Sequence, residues 1–198
     1  EHTSRGLGDV YKRQVYTQPP SKSNRGHKVR KSPIHKFCEE NNLKVRTPEN
    51  FKNLDDEKNI LKKLEADIAI VVAYGQILPK GILHVCKKGF INIHASLLPK
   101  LRGAAPIQRS IMNLDNETGI SIMQINEKLD QGKIYSQYKI NINRDDNAED
   151  LSFRLSNLAA EKIVDDIESI FANKKNFFEQ DHSLSLIHIS EPTRRVFI

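Results

Sequence analysis

Hydrophobic and polar positions change their spacing several times along this chain, and each change marks an element. Ile91 and Ile93 alternate with Asn92 and His94, the period of a strand whose successive side chains point to opposite faces, so Asn92 and His94 share one face. This strand is expected to end at Ser96. Leu97 to Arg102, containing Pro99, reads as a loop, and Gly103-Ala104-Ala105-Pro106 as the start of a helix with proline in its first turn. Upstream, Ile68-Ala69-Ile70-Val71-Val72-Ala73 is a continuous apolar run, which predicts a strand covered on both faces. Ile60, Leu61 and Leu64 form the stripe of a helix that opens with Asp55, Asp56 and Glu57 at its positive end. Val15-Tyr16-Thr17-Gln18 and Leu43-Lys44-Val45 read as short strands, and Ser32-Pro33 as the opening of a short helix with Ile34, Phe37 and Cys38 on its apolar side.

Beyond the central stretch, Ile120–Ile125 and Ile134–Ile140 look like two further strands, with Leu129-Asp130-Gln131-Gly132 between them. Leu151, Leu155, Leu158, Ala159, Ile163, Ile167, Ile170 and Phe171 then trace a long amphipathic helix. Strand and helix patterns alternate up to Ser96, which predicts an α/β fold with a parallel sheet. Polar groups at the carboxyl end of a strand lie where open sheets of this kind bind ligands.

The two ends do not continue these patterns. One choice of codons for Glu1–Gln14 has a reverse complement that reads as Leu184–Phe197. An inverted repeat in the DNA with no coherent meaning in the protein resembles a translated library adapter, similar to transposase-end sequences. Residues 1–14 and 184–198 are therefore set aside as adapter-like scars, leaving 15–183 as one domain. Without the scars, 26 of the 31 Lys+Arg and 22 of the 25 Asp+Glu remain, a mildly basic balance near +4. That charge suits nucleic acid or an anionic small molecule but equally an ordinary soluble protein. Cys38 and Cys86 are the two cysteines; they stand far apart in no metal or redox spacing, as expected in a reducing compartment. No run reaches membrane-spanning length and no signal peptide is visible, so a cytoplasmic protein is expected, or one of an organelle matrix if a targeting segment has been lost.

Three places carry candidate chemistry. Pro19 to His35 lacks acidic residues and holds Lys22, Arg25, Lys28, Arg30 and Lys31 around Gly26, a basic loop able to grip phosphates or simply to be solvated. Asn92 and His94 could donate hydrogen bonds from one strand face or serve as structural residues. Asp130, two positions before Gly132, could be an acid or a turn aspartate. His27, His35 and His182 have no ligand spacing with one another or with the cysteines, and no metal site is expected.

Asn92-Ile93-His94-Ala95-Ser96-Leu97-Leu98-Pro99, with Asp130 downstream, resembles the signature of enzymes that transfer or hydrolyse the formyl group of 10-formyltetrahydrofolate. Arg102-Gly103-Ala104-Ala105-Pro106-Ile107-Gln108, Glu117-Thr118-Gly119-Ile120-Ser121-Ile122-Met123-Gln124, Val15-Tyr16-Thr17-Gln18-Pro19 and Val72-Ala73-Tyr74-Gly75 narrow the resemblance to the methionyl-tRNA formyltransferase family. It covers essentially all of residues 15–183. It implies a Rossmann-like, open, mostly parallel α/β sheet with helices on both faces. Relative to that family, the first strand with its Gly-Thr-Pro loop and the C-terminal β-barrel domain are missing, so the domain is expected to be an incomplete, monomeric catalytic piece.

The implied reaction is attack by the α-amine of initiator methionyl-tRNA on the formyl carbon held by N10 of the folate. The tetrahedral oxyanion needs pre-aimed donors, the roles of Asn92 and His94. Asp130 would order a water, hold His94 charged and help relay protons. Ser96, Leu97, Leu98 and Pro99 would border the folate and Tyr74, Gly75 and Gln76 line a neighbouring wall. Arg25 matches a position that meets the tRNA acceptor end, with Lys28 beside it in the basic loop. Other readings are a folate-dependent formyltransferase with a nucleotide-sugar or glycinamide ribonucleotide acceptor, and an inactive fragment.

Overall fold

The computed structural model describes residues 14–23, 28–51, 54–174, 176–181 and 183. The expected terminal scars lie outside the described residues apart from Gln14, as do Arg25, Gly26, His27 and His182. The described residues fall into two compact units, one drawn from Glu1–Ala66 and Tyr74–Val85, the other from Asp67–Ala73 and Cys86–Ile198.

In the first unit, β1 (Val15–Tyr16) pairs in parallel with β4 (Val45–Arg46), Val15 opposite Val45. The basic stretch holds an antiparallel strand pair and is not loop throughout: β2 (Ser21–Ser23) pairs antiparallel with β3 (Lys28–Arg30), Ser23 opposite Lys28. Neither strand has an apolar face, so backbone pairing makes it without the alternation that announces strands elsewhere. Helix α1 (Pro33–Glu40) begins as its sequence demands, with Pro33 in the first turn and the Ser32 side chain accepting from the His35 N–H. Of its expected apolar side only Cys38 is buried, while Ile34 and Phe37 are exposed; eight residues make little more than two turns and here offer a single core position. Helix α2 (Leu54–Lys63) has acids in its first turn and Lys62 and Lys63 in its last, both favourable to the macrodipole. Its buried Glu57 receives the Tyr16 hydroxyl at 3.1 Å and the Arg46 guanidinium at 2.5 Å. A one-turn helix, α3 (Lys80–Leu83), buries Ile82 and Leu83.

The second unit is a four-stranded sheet in the order β5 (Ala69–Val71), β6 (Phe90–His94), β7 (Glu117–Gln124), β8 (Ile134–Asn141). β5 and β6 are parallel, and the two later pairings are antiparallel. The parallel pairs thus fall in the part of the chain where strand and helix patterns alternate. The run at Ile68–Ala73 is not covered on both faces: β5 is an edge strand of this sheet, and Ile70 and Val72 are exposed. Helix α4 (Pro106–Met112) starts at Pro106. Helix α5 (Ala148–Phe171) starts at a capping box in which the Asn147 side chain accepts from Asp150 N–H and Asp150 reaches back to Asn147 N–H.

The sheet's two faces are dressed differently. Leu151 and Leu155 of α5 pack with Ile120, and Ile170 with Ile91, Ile122 and Tyr135. The opposite face carries a small cluster of Leu98, Met123 and Ile134. Strand alternation therefore puts Ile91 and Ile93 on the α5 side and Asn92 and His94 on the side covered by the loop after β6. A bulge leaves Tyr135 extra between Ile134, opposite Met123, and Ser136, opposite Ile122, so Tyr135 joins the helix side while Ile134 stays under the loop.

Candidate active site

His94 is the last residue of β6 and is buried, 7% exposed. Its Nε2 lies 2.9 Å from the Leu101 carbonyl oxygen. A carbonyl only accepts, so Nε2 carries a proton, and Nδ1 is the nitrogen left for other partners. Facing Nδ1 at 3.7 Å is Oδ2 of Asp130, an ion-pair separation longer than a hydrogen bond. The sequence motif and the structure thus bring His94 and Asp130 together from segments 36 positions apart.

Asp130 is held in place by the backbone. The Gly103 N–H donates to Oδ2 at 2.8 Å, and Asp130 itself sits at φ 49°, in the left-handed region. Two residues on, Gly132 leaves no room for a side chain, because a Cβ there would lie 1.7 Å from the Gln124 carbonyl oxygen. Arg102, beside Gly103, is 7% exposed and places Nε and Nη2 at 3.0 and 2.6 Å from Oε1 of Gln180. Burial pulls the guanidinium's pKa down and the Asp130 carboxylate opposes that shift.

Asn92 shares the loop face of β6 with His94, opposite Met123 of β7. Among the described residues no hydrogen bond engages its side-chain amide. The Ser96–Pro99 loop is fixed from below by β7 and β8. Ser121 Oγ accepts from Leu98 N–H (2.9 Å) and from the Gln137 side chain (2.9 Å) and donates to the Ser96 carbonyl (2.6 Å), while Gln137 also donates to the Leu98 carbonyl (2.8 Å). Ser96 Oγ donates to the Lys100 carbonyl at 2.6 Å, and the Leu98–Pro99 peptide bond is cis. Leu98 is buried, whereas Leu97 and Pro99 are only partly so.

Tyr74, Gly75 and Gln76 belong to the first unit. Gln76 donates to the Pro48 carbonyl at 3.0 Å, and the Gln18 side-chain amide donates to the Tyr74 carbonyl. Gly75 needs its φ of +76°, and the Tyr74 hydroxyl is buried with no hydrogen-bond partner among the described residues. Arg25 lies outside the described residues, and Lys28 is seen as backbone in β3. The sequence patterns assign no site role to Ser121, Gln137, Gly103 or Gln180. Ser121 and Gln137 did carry a signal, as polar positions within strands of otherwise apolar alternation; Gln180 carried none. Among the described residues no group of three His, Cys, Asp or Glu side chains could hold a metal ion, and no helix is long and apolar enough to cross a membrane.

This arrangement, with its donors on a strand end and a carboxylate opposite, coincides with a match over residues 1–167 to the family described as formyl transferase. The chain belongs to the formyl transferase family. Among this family member's relatives, the methionyl-tRNA formyltransferase of Pelagibacter ubique (strain HTCC1062) is 60% identical over 167 residues, covering 84% of this chain and 54% of the relative. That of Wolbachia sp. subsp. Drosophila simulans (strain wRi) is 46% identical over 165 residues, covering 82% and 55%. The chain thus spans about half the length of these curated relatives. Among solved structures, the phosphoribosylglycinamide formyltransferase of Streptococcus pneumoniae TIGR4 superposes with a TM-score of 0.66 at 14% identity, over 80% of this chain and 97% of that one, a likeness of fold. The Rossmann-like α/β formyltransferase class read from the sequence is therefore the class this chain adopts.

Proposed function

We propose that this chain carries the catalytic centre for transfer of the formyl group of 10-formyltetrahydrofolate to the α-amine of initiator methionyl-tRNA, acting as a monomer in the cytoplasm. The observation that carries the reading is the set of groups on the loop face of β6. His94 Nδ1 stands 3.7 Å from a backbone-anchored Asp130, with the Asn92 amide on the same face. The 60% identity to a relative named methionyl-tRNA formyltransferase supports the choice of acceptor.

The amine nitrogen attacks the formyl carbon, the carbonyl oxygen becomes an oxyanion, and collapse breaks the bond to N10. One proton leaves the amine and one reaches N10. Asn92 Nδ2–H and His94 Nδ1–H are the donors for the oxyanion; a charge that develops only in the transition state is where fixed donors lower the barrier most. Donation from Nδ1 while Nε2–H remains on Leu101 requires both ring nitrogens protonated, and Asp130 supplies the counter-charge. Asp130 Oδ1, unlike Oδ2, has no hydrogen bond among the described residues and is the oxygen that would order a water for the proton transfers. Ser96, Leu97, Leu98 and Pro99 are the proposed folate-bordering loop, kept rigid by Ser121 and Gln137 so that ordering it costs little on binding. The roles of Tyr74, Gly75 and Gln76 toward folate, and of Arg25 and Lys28 toward the acceptor stem, are carried by the family resemblance.

The test is formyl transfer by a chimera in which this domain carries the remaining length of the Pelagibacter ubique relative, alongside Asn92→Ala and His94→Ala. Transfer to methionyl-tRNA that collapses in both folded variants supports the reading. A folded chimera that formylates a nucleotide sugar or glycinamide ribonucleotide instead keeps the family chemistry and overturns the acceptor.

A further inference from the structure

Gln180 is 4% exposed and lies in the segment after α5, which is fastened to the sheet where Phe178 and Ile134 exchange backbone hydrogen bonds of 2.8 Å. All of the amide's bonding capacity is used. Oε1 accepts from Arg102 Nε and Nη2, and Nε2 donates to the Asp130 carbonyl at 2.9 Å and the Gly132 carbonyl at 2.7 Å. Turning the amide over would set N–H against guanidinium N–H and oxygen against two carbonyls, so this network allows one orientation. The bonds close a ring: Arg102 is joined by the chain to Gly103, whose N–H holds Asp130 Oδ2, and the Asp130 backbone returns through Gln180 to Arg102. The ring grips both the main chain and the carboxylate of a residue at positive φ.

We propose that Gln180 is a positioning residue for the reaction, fixing the Asp130 carboxylate opposite His94 Nδ1 while touching neither substrate. The inference rests on the proposed formyl transfer for its consequence in turnover, but not for its structural content. Its structural readout is hydrogen exchange of the Gly103 amide, which is bonded to Asp130 Oδ2, followed by NMR in the 198-residue chain itself. Its kinetic readout is kcat and KM in the chimera.

Gln180→Ala is expected to accelerate Gly103 exchange at least tenfold. It should also lower kcat about 100-fold, the cost of misplacing a reacting group by about an ångström, with KM for the folate within about twofold. Gln180→Glu keeps two acceptors for Arg102 but loses both donors to the Asp130 turn, so it should show the same losses. In an Asp130→Ala background, Gln180→Ala should add less than about threefold, because the effects of residues acting as one unit do not multiply. Unchanged Gly103 exchange in folded Gln180→Ala or Gln180→Glu overturns the proposal. So does full kcat in Gln180→Glu, or a further 100-fold loss on top of Asp130→Ala. If Gln180→Ala does not fold, Gln180→Glu decides by the same two readouts. If the unaltered chimera transfers no formyl group, the proposed function fails, and the exchange arm still judges the position of Asp130.

Discussion

Asp166 and Asp130 are both largely enclosed in the sheet unit, yet their carboxylates are used in opposite ways. Asp166, on α5, is 5% exposed, and both its oxygens are occupied: Ser136 donates to Oδ2 at 2.5 Å, and the Tyr138 hydroxyl lies 3.1 Å from each. Those bonds tie a helix to a strand. Asp130 is held by the Gly103 N–H at its carboxylate and by the Gln180 side-chain amide at its own carbonyl, its side chain points at an imidazole without hydrogen-bonding to it, and Oδ1 is uncommitted among the described residues. A saturated carboxylate stabilises; one held by its backbone with spare acceptor capacity is suited to act on something else. Burial alone would have ranked Asp166 first.

The strongest way to break this contrast is at the imidazole. His94→Ala in the chimera should lower kcat about 1000-fold and Asn92→Ala about 100- to 1000-fold, the cost of one oxyanion donor. A His94→Ala enzyme within tenfold of the unaltered one would remove the Asp130 site from catalysis altogether.

Next comes an exchange of phenotypes. Asp130→Asn keeps an acceptor for Gly103 N–H and removes the charge, so kcat should fall about 100-fold while the urea midpoint hardly moves. Asp166→Ala strands the Ser136 and Tyr138 hydroxyls and should cost about 2–3 kcal/mol of stability, with kcat of the folded protein unchanged. Measuring both quantities on both variants is decisive, since equal stability losses would mean that Asp130 is structural too. Gly132→Ala should do some of each: the 1.7 Å approach to the Gln124 carbonyl forces the Asp130 turn to move. About 1–3 kcal/mol of destabilisation is expected, together with a kcat loss smaller than that of Asp130→Asn.

Much of this contrast was legible in the residues, unevenly. α5 was readable because its apolar stripe keeps one helical spacing from Leu151 to Phe171. His94 and Asp130 were readable because their motif has a fixed form. Asp166 left a fainter mark: it sits between Ile163 and Ile170 on the buried stripe, where a charge demands partners, but the partners lie on β8 and no spacing reveals them. The β2–β3 pairing was not readable, because Ser-Lys-Ser and Lys-Val-Arg hold a single apolar residue between them and so no apolar alternation. Gln180 was invisible for a similar reason. Its three partners, Arg102, Asp130 and Gly132, come from two loops well upstream, and long-range closure of that kind leaves no local pattern.

The smallest effect sharpens the same distinction between saturated and unsaturated polar groups, now with two tyrosines. Tyr138 spends its hydroxyl on Asp166; burial, and then that carboxylate, raise its pKa. The Tyr74 hydroxyl, in the other unit, is buried without a partner among the described residues, and its pKa is pushed up to about 12, chiefly by burial and further by the Glu57 charge. Tyr138→Phe should therefore cost about 1 kcal/mol at neutral pH, whereas Tyr74→Phe should cost nothing or gain up to about 1 kcal/mol. The pH dependence has a defined sign. Folded Tyr74 keeps its proton to a higher pH than the unfolded chain, whose tyrosines titrate near 10. Its contribution is thus complete below pH 10 and is lost as pH rises from about 10 to about 12. Tyr16 is raised as well, by burial and Glu57, so Tyr74→Phe should flatten the alkaline decline of the urea midpoint without abolishing it. Parallel declines in the unaltered chain and Tyr74→Phe would show that the Tyr74 hydroxyl is not held protonated by the fold.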